Sequence, residues 1–540
     1  MPTLPSLDER APVRASGTVS GQNLAVAVGK NTMFGVIANI AQVITRLVTV
    51  PMVISHLGLD GYGIWSIIMT AEAYMRFGAA GLKSAFQKYV AEAVGNGDFT
   101  RVNQLIATGS AAILGLSVMG LVPVFLFAEQ LARIAGVPQQ FVQSTAGALG
   151  LLAIIMIISN FAAAYEAILM GANRIDLVKK FTVVLSCLEA VAIVVFLHFG
   201  SGLLAMTAVM AASELALAAC CYLYSSRVLP QVRVNFRLIS GSVVRELVRF
   251  AGSYQLLSVL EVIYVAVLPV TILKLFGAEA SGLYALCTRL VIAASLFQES
   301  SMLPLLSGGA MVYASGTGRQ LQSLLAQAFK WSLVLTLPPL VFLCLFGNRI
   351  IHAWTGQTNS LFQPALWMLC SAALFRSLGR AAFVLYRASG GASMDVFRQL
   401  IALVTVVFIA LIGHPLGYIG VLAGMAFAEL IGMLFMLVAL NRAISVFDAR
   451  RLLPENARLL AAICAAFIVS LVAGYPWVEW SINSRLNALI QVGLGSAGCL
   501  IAFWPIVTFA RVLSAEERHA IGAVLFRTRR SALVEADPSI

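Results

Sequence analysis

Charged residues are scarce in this sequence. Asp, Glu, Lys and Arg make up 11% of its 540 residues, against 60% for Ala, Val, Ile, Leu, Met, Phe, Trp, Tyr and Cys, and the mean hydropathy is +0.90. A soluble globular protein carries about 25% charged residues, and so little charge cannot cover a soluble surface. A soluble enzyme, a disordered chain and a disulfide scaffold are excluded. The eight cysteines lie inside apolar stretches, with no Cys-x-x-Cys and no Cys/His pairing, so they read as small apolar residues in helices. There is no His-Glu-x-x-His, no Gly-x-Ser-x-Gly and no metal cluster. Gly29-Lys30-Asn31 is the nearest approach to a phosphate loop, and it lacks both the upstream glycine and the following Ser/Thr. The five histidines are scattered near predicted helix ends. The sequence therefore predicts no enzyme, no cofactor and no metal.

Long apolar stretches are what the chain has. A membrane-spanning helix needs about 20 mostly apolar residues. Fourteen such segments are predicted, at 31–54, 63–82, 105–127, 145–170, 178–198, 202–224, 250–273, 281–306, 322–346, 363–386, 395–413, 416–440, 458–476 and 487–510. Residues 1–24 are polar and read as a cytosolic tail rather than a cleavable signal, because the apolar stretch that follows is longer than a signal peptide's. The prediction is an all-α polytopic membrane protein.

The charges that exist are asymmetrically placed. With the N-terminus inside and the spans alternating, the inside loops and the first turn of the spans beside them hold 26 Lys and Arg and the outside loops four. Such a bias is the positive-inside signal, and one missed span would scramble it. The net charge of +12 is thus topological, and no nucleic-acid partner is needed to explain it. Both termini are expected to be cytosolic. Reporter fusions after Asp60, Gly200 and Gly413 should report outside, and fusions after Asn173, Gly318 and Asn456 inside; one inverted pair would break the span count. Among the inside loops, 83–104 reads as an amphipathic extension ending at the turn 95–98, and 441–457 as a basic interfacial helix.

One internal repeat is visible. Gly58-x4-Gly63-Ile64-Trp65 lies between the first two spans and Gly277-x4-Gly282-Leu283-Tyr284 between the seventh and eighth, an offset of 219 residues. A late proline precedes each, Pro51 and Pro269. Two six-helix lobes are expected, 25–224 and 250–440, joined by a basic cytosolic linker, 225–249. A cytosolic loop at 441–457, two extra helices within 458–512 and a tail at 513–540 complete the chain. Paired bundles with a site between them are a transporter pattern, and Gly58, Gly63, Gly277 and Gly282 are candidate hinge or turn positions.

Thirteen charges fall at membrane depth: Arg46, Arg76, Arg289, Lys330, Arg376, Arg380, Glu72, Glu166, Glu189, Glu214, Glu261, Glu299 and Glu429. Facing lipid they would cost about 40 kcal/mol at roughly 3 kcal/mol each, so most must face other helices or an internal aqueous space. Asn39, Gln42 and Arg46 share one helix face. Glu72 and Arg76 are i,i+4 neighbours, and Tyr254, Ser258 and Glu261 share a face. Arg46, Arg289 and Arg376 read as unpaired cations on a pathway, suited to an anionic substrate, since guanidinium matches phosphate oxygens. Arg76, with Asn39 and Gln42, is a further candidate for the cavity lining. Glu72, Glu261 and Glu429 are candidates for proton or ion sites, or for ion pairs.

The run Arg46-x4-Pro51, Leu57-Gly58-x3-Tyr62-Gly63-Ile64-Trp65, Tyr74, Phe77-Gly78-x2-Gly81-Leu82 and Gly97-Asp98 resembles the opening of the polysaccharide flippases. These are the Wzx-like O-antigen and exopolysaccharide translocases of the multidrug/oligosaccharidyl-lipid/polysaccharide exporter superfamily. The resemblance implies a bacterial cytoplasmic-membrane flippase for polyprenyl-pyrophosphate-linked oligosaccharide in surface polysaccharide (lipopolysaccharide or exopolysaccharide) biosynthesis. It would work by alternating access through a cationic central cavity, with membrane lipids and polysaccharide polymerase or export machinery as partners. In that setting Arg46 and Arg289 would contact the pyrophosphate. Two alternatives stand beside it: a cation-coupled small-molecule exporter of the same superfamily, and a membrane-embedded glycosyltransferase or ligase. Helix 1 has no acid between Asn31 and Ile54, which disfavours the first alternative. The short outside loops disfavour the second.

Overall fold

The computed structural model describes residues 21–77, 89–301 (except 91, 95, 173, 233 and 234), 318–388, 393–444, 464–472 (except 466, 470 and 471) and 484–509; the side chains of 21–44 and of Arg46 are outside the described set. Among the described residues all regular structure is helical, and eight helices are long and apolar enough to cross a membrane. The helices are α1 (Gly21–Phe77), α2 (Phe99–Leu126), the short α3 (Ala128–Ile134), α4 (Gln139–Gly171), α5 (Ile175–His198), α6 (Leu203–Val228), α7 (Gly241–Ser301), α8 (Gly318–Thr355), α9 (Phe362–Ala388), α10 (Ser393–Ile444) and α11 (Ser484–Phe509). Every predicted span has its helix except 458–476, most of which lies outside the described residues, as does the loop 441–457 beyond Ile444.

Three helices are broken by a glycine. α1 has 57 residues, about 85 Å if straight, against roughly 30 Å of hydrocarbon. It breaks at Gly58, whose φ of 71° and ψ of 179° are non-helical. α7 breaks the same way at Gly277 and α10 at Gly417. A positive φ is open to glycine at little cost, because no Cβ meets the following carbonyl. Six such glycines form pairs: Gly58 with Gly277, Gly136 with Gly356, and Gly200 with Gly417, at offsets of 219, 220 and 217 residues. The one repeat legible in the sequence is thus accompanied by two more, each at a turn on the same end of the bundle. The seventh, Gly97 (φ 71°), turns the chain at the opposite end, where the Asp98 side chain then accepts from the Arg101 N–H at 2.9 Å and caps α2.

The linker is shorter than expected. α6 runs on to Val228, a 3₁₀ turn forms at Phe236–Leu238, and α7 starts at Gly241. It is moored to α2: Arg101 pairs with Glu246, Asn103 Nδ2 donates to the Gln231 carbonyl at 3.3 Å, and the Ser240 N–H to Thr108 Oγ1 at 3.1 Å.

Packing differs between the two ends. At the glycine-turn end one apolar cluster unites both lobes: Val53, Tyr62, Ile64 and Trp65 from α1 pack with Leu268, Ile272, Leu283 and Leu286 from α7, Phe362 from α9 and Tyr418 from α10. At the opposite, basic end the described residues form two distinct clusters. One gathers Val102, Leu105, Ile168 and the start of α7 (Val243, Leu247); the other gathers Phe329, Ala381, Met436 and Leu440. Apolar stripes stay uncovered, as on α5 at Val184, Leu188, Val191 and Val195 and on α10 at Val404, Phe408 and Leu411. Faces of that kind suit lipid.

Candidate functional site

The two halves of α1 turn back on each other, so residues 31 positions apart line one space. A cavity of about 440 Å³ is walled by both halves of α1 and by α4, α5 and α6 of the first lobe. Among its lining residues the second lobe contributes Arg289, on α7 beyond the Gly277 break.

Its charges are mixed. Arg76 Nη2 pairs with Glu72 at 2.7 Å and also with Glu214. Ser159 Oγ donates to the other Glu214 oxygen at 3.1 Å, and Glu189 lines the same space beside Ser213. Glu166 and Lys179 line the same space. One guanidinium held by two carboxylates is largely neutralised. Arg289 is different: its Nη2 donates to Met69 Sδ at 3.3 Å, and among the described residues it has no carboxylate partner. Thioether sulfur is a weak acceptor, so this guanidinium keeps most of its donor capacity directed at the cavity. Four carboxylates and three cations, Arg76, Lys179 and Arg289, line the space. The described cavity is therefore not uniformly cationic.

The remaining expected residues are elsewhere. Arg376 was expected as an unpaired cation, and this is corrected: its Nη2 pairs with Glu429 at 2.7 Å and its Nε donates to the same oxygen at 2.8 Å. Tyr264 Oη also donates to Glu429. Glu429 is only 5% exposed. These groups come from α7, α9 and α10 and lie inside the second lobe, away from the cavity. Here the helices sit in register so that the acid, 53 residues along, reaches the arginine. Glu261 is exposed and is not part of the cavity lining. Asn39, Gln42 and Arg46 fall outside the described side chains, as do Tyr254 and Ser258. The structure thus brings together Arg289, Arg76 and Glu72, and adds Glu166, Glu189, Glu214 and Lys179. The added acids were legible as charges at membrane depth; their convergence was not, because they come from three different helices. Lys179 reads in the sequence as an inside-loop charge.

The Arg376–Glu429 geometry predicts a structural role. Arg376→Ala leaves a buried carboxylate without its cation, a loss of roughly 3–5 kcal/mol. Abundance and thermal stability of the solubilised protein should fall together, and the joint change Arg376→Met with Glu429→Leu should recover much of both. Normal stability of Arg376→Ala with transport lost would return Arg376 to the pathway.

At the glycine-turn end the lobes meet backbone to backbone. A Cβ on Gly63 would stand 2.2 Å from the Ala278 carbonyl oxygen and 2.8 Å from the Gly282 nitrogen; one on Gly282 would stand 2.3 Å from the Leu59 carbonyl oxygen. The contact is reciprocal, each lobe's Gly-x4-Gly turn receiving the other's.

Comparison with known proteins places this architecture. Residues 36–195 match the MatE family profile. Among solved structures, the chain is similar to a multidrug resistance MATE family transporter of the MOP superfamily in its inward-facing conformation, with 16% identity, TM-score 0.67, and coverage of 75% of this chain and 94% of that one. It is similar to the lipid II flippase MurJ in an inward closed conformation, with 16% identity, TM-score 0.66, and coverage of 88% and 99%. It is also similar to a MOP superfamily transporter from Pyrococcus furiosus whose binding pocket is described as reversed in polarity, with 17% identity, TM-score 0.55, and coverage of 78% and 94%. None of the curated proteins matches the chain. The chain shares the fold of these structures, and residues 36–195 match the MatE profile.

Proposed function

We propose that this protein is a translocase that carries an anionic, lipid-linked head group across the cytoplasmic membrane by alternating access. Its cargo is an oligosaccharide on polyprenyl pyrophosphate, destined for surface polysaccharide. The observation that carries the reading is Arg289: a guanidinium lining the cavity, contributed by the second lobe, with Met69 Sδ as its hydrogen-bond acceptor. A pyrophosphate bears about two negative charges, and moving them through apolar surroundings without compensation would be prohibitive. An arginine with open donors supplies that compensation in a geometry matched to phosphate oxygens. Support also comes from the fold shared with a lipid II flippase, and from the apolar cluster that joins the lobes at the glycine-turn end, whereas the basic end has two distinct clusters among the described residues. With the basic end cytosolic, that arrangement is an inward-facing one, ready to load a head group made in the cytosol.

A second reading rests on the acids. Glu72, Glu166, Glu189 and Glu214 share the cavity, which suits a cation-coupled small-molecule exporter. The two readings separate in proteoliposomes. The flippase moves a fluorescent polyprenyl-pyrophosphate sugar and ignores lipophilic cations; the exporter does the reverse and collapses with the ion gradient. Absence of any lipid-linked sugar movement, with drug export intact, would overturn the first reading.

A further inference from the structure

Pro51 removes one donor from α1. Having no N–H, it leaves the Leu47 carbonyl, four residues earlier, without its intrahelical partner. A free carbonyl at membrane depth must find another donor. It finds one in the other lobe: Trp354 Nε1, in the last turn of α8, donates to the Leu47 carbonyl at 2.8 Å. The pairing spans 307 residues of sequence. It has no counterpart in the repeat. Among the described residues, the Val265 carbonyl, freed in the same way by Pro269, receives no side-chain donor.

Trp354 is itself held from behind. Arg485 Nη2 donates to the Trp354 carbonyl at 3.3 Å, and His352 and Ser484 share a hydrogen bond of 3.3 Å. Gly356, at φ 76°, has the Arg485 Cζ 3.1 Å from where its Cβ would be, so the missing side chain is what admits the guanidinium. The start of α11 therefore grips the end of α8, and the end of α8 grips α1.

We propose that Trp354 is a latch on the outward gate: its indole holds the carbonyl that Pro51 leaves free, and the appended helix α11 braces it through Arg485. The proposal rests on the alternating-access reading above. Opening the glycine-turn end separates α1 from α8 and breaks this bond, so the latch biases the empty protein towards the closed outward face. It also gives α11 a task outside both lobes: setting how readily the outward gate opens.

The test reads gate opening directly, without substrate. Val53 lines the cavity close to the Gly58 turn and is 1% exposed. Val53→Cys purified and reconstituted in liposomes of phospholipid alone is treated from outside with a membrane-impermeant thiosulfonate, and modification of its peptide is followed by mass spectrometry in the molecules whose outward face is exposed. Trp354→Phe, which keeps the ring and loses the donor, should raise the modification rate about fivefold, the equilibrium worth of one such bond. Pro51→Ala should raise the rate in the same direction by a smaller factor, because the restored N–H competes with the indole for the Leu47 carbonyl. The double variant should stay near fivefold, since both changes remove one interaction. Arg485→Ala should raise the rate in the same direction, and an unchanged rate removes α11 from the latch. A Trp354→Phe rate equal to the parent's, or a double variant at the product of the two single effects, overturns the proposal. If Trp354→Phe does not accumulate in the membrane, Pro51→Ala decides alone, an unchanged rate overturning it. Because no cargo is present, a protein that proves to export something else leaves this result standing.

Discussion

Changing Arg289 to alanine should abolish export of the lipid-linked sugar proposed as cargo while the protein accumulates normally. The expected loss follows from what the guanidinium offers. Hydrogen bonds to a charged group contribute about 1.5–3 kcal/mol each, and a fork on pyrophosphate makes two of them in a space shielded from bulk water. At about 1.4 kcal/mol per tenfold, that is a hundredfold or more in transport rate. Arg289→Lys keeps the charge and loses the fork, and should retain roughly a tenth of the rate. Stability is spared because Arg289 has no carboxylate partner among the described residues to leave uncompensated. Arg76→Ala makes the contrast: it strands Glu72 and Glu214 together, so abundance falls with transport. The measurement is initial flipping rate in proteoliposomes alongside membrane abundance. Wild-type flipping by Arg289→Ala at normal abundance would remove the anionic-anchor mechanism.

Gly63→Val, and separately Gly282→Val, should hold the outward face open and stop transport. The added carbons stand within 2.2–2.3 Å of backbone carbonyl oxygens of the opposite lobe. Backbone inside paired helices cannot step aside as a flexible side chain can, so the lobes must part. The variants should fold, because the two clusters at the other end of the bundle are untouched, and the Val53→Cys modification rate should rise by a hundredfold or more. Gly58→Ala is the control. Its Cβ would meet nothing within 4 Å, so its cost is the backbone at φ 71° and ψ 179° alone, about 1–3 kcal/mol of stability, with no clash across the seam. A Gly63→Val protein that labels at the parent rate and still transports would show that the seam does not close the pathway.

Much of the molecule was legible one segment at a time. The Gly58 and Gly277 turns, the late prolines and the spans can be read locally, because hydropathy over about 20 residues and the steric freedom of glycine are properties of a short stretch of chain. The other two glycine pairs were equally present in the sequence. They are not legible there, because Gly136 and Gly200 lack the flanking Gly-aliphatic-aromatic pattern and positive φ is a property of the folded backbone.

The site was legible only in part. The amino-acid sequence by itself determined that the chain spans a membrane many times, that its bases are segregated by loop, and that charges such as Arg289 lie deep within it. Tertiary structure alone decided which of those charges are answered. Arg376 meets Glu429 across 53 residues, Arg76 meets Glu214 across 138, and Trp354 reaches Leu47 across 307. Helical periodicity reports the face on which a residue sits relative to its own helix. The partner depends on the rotation and depth of a different helix, and packing of whole lobes sets these.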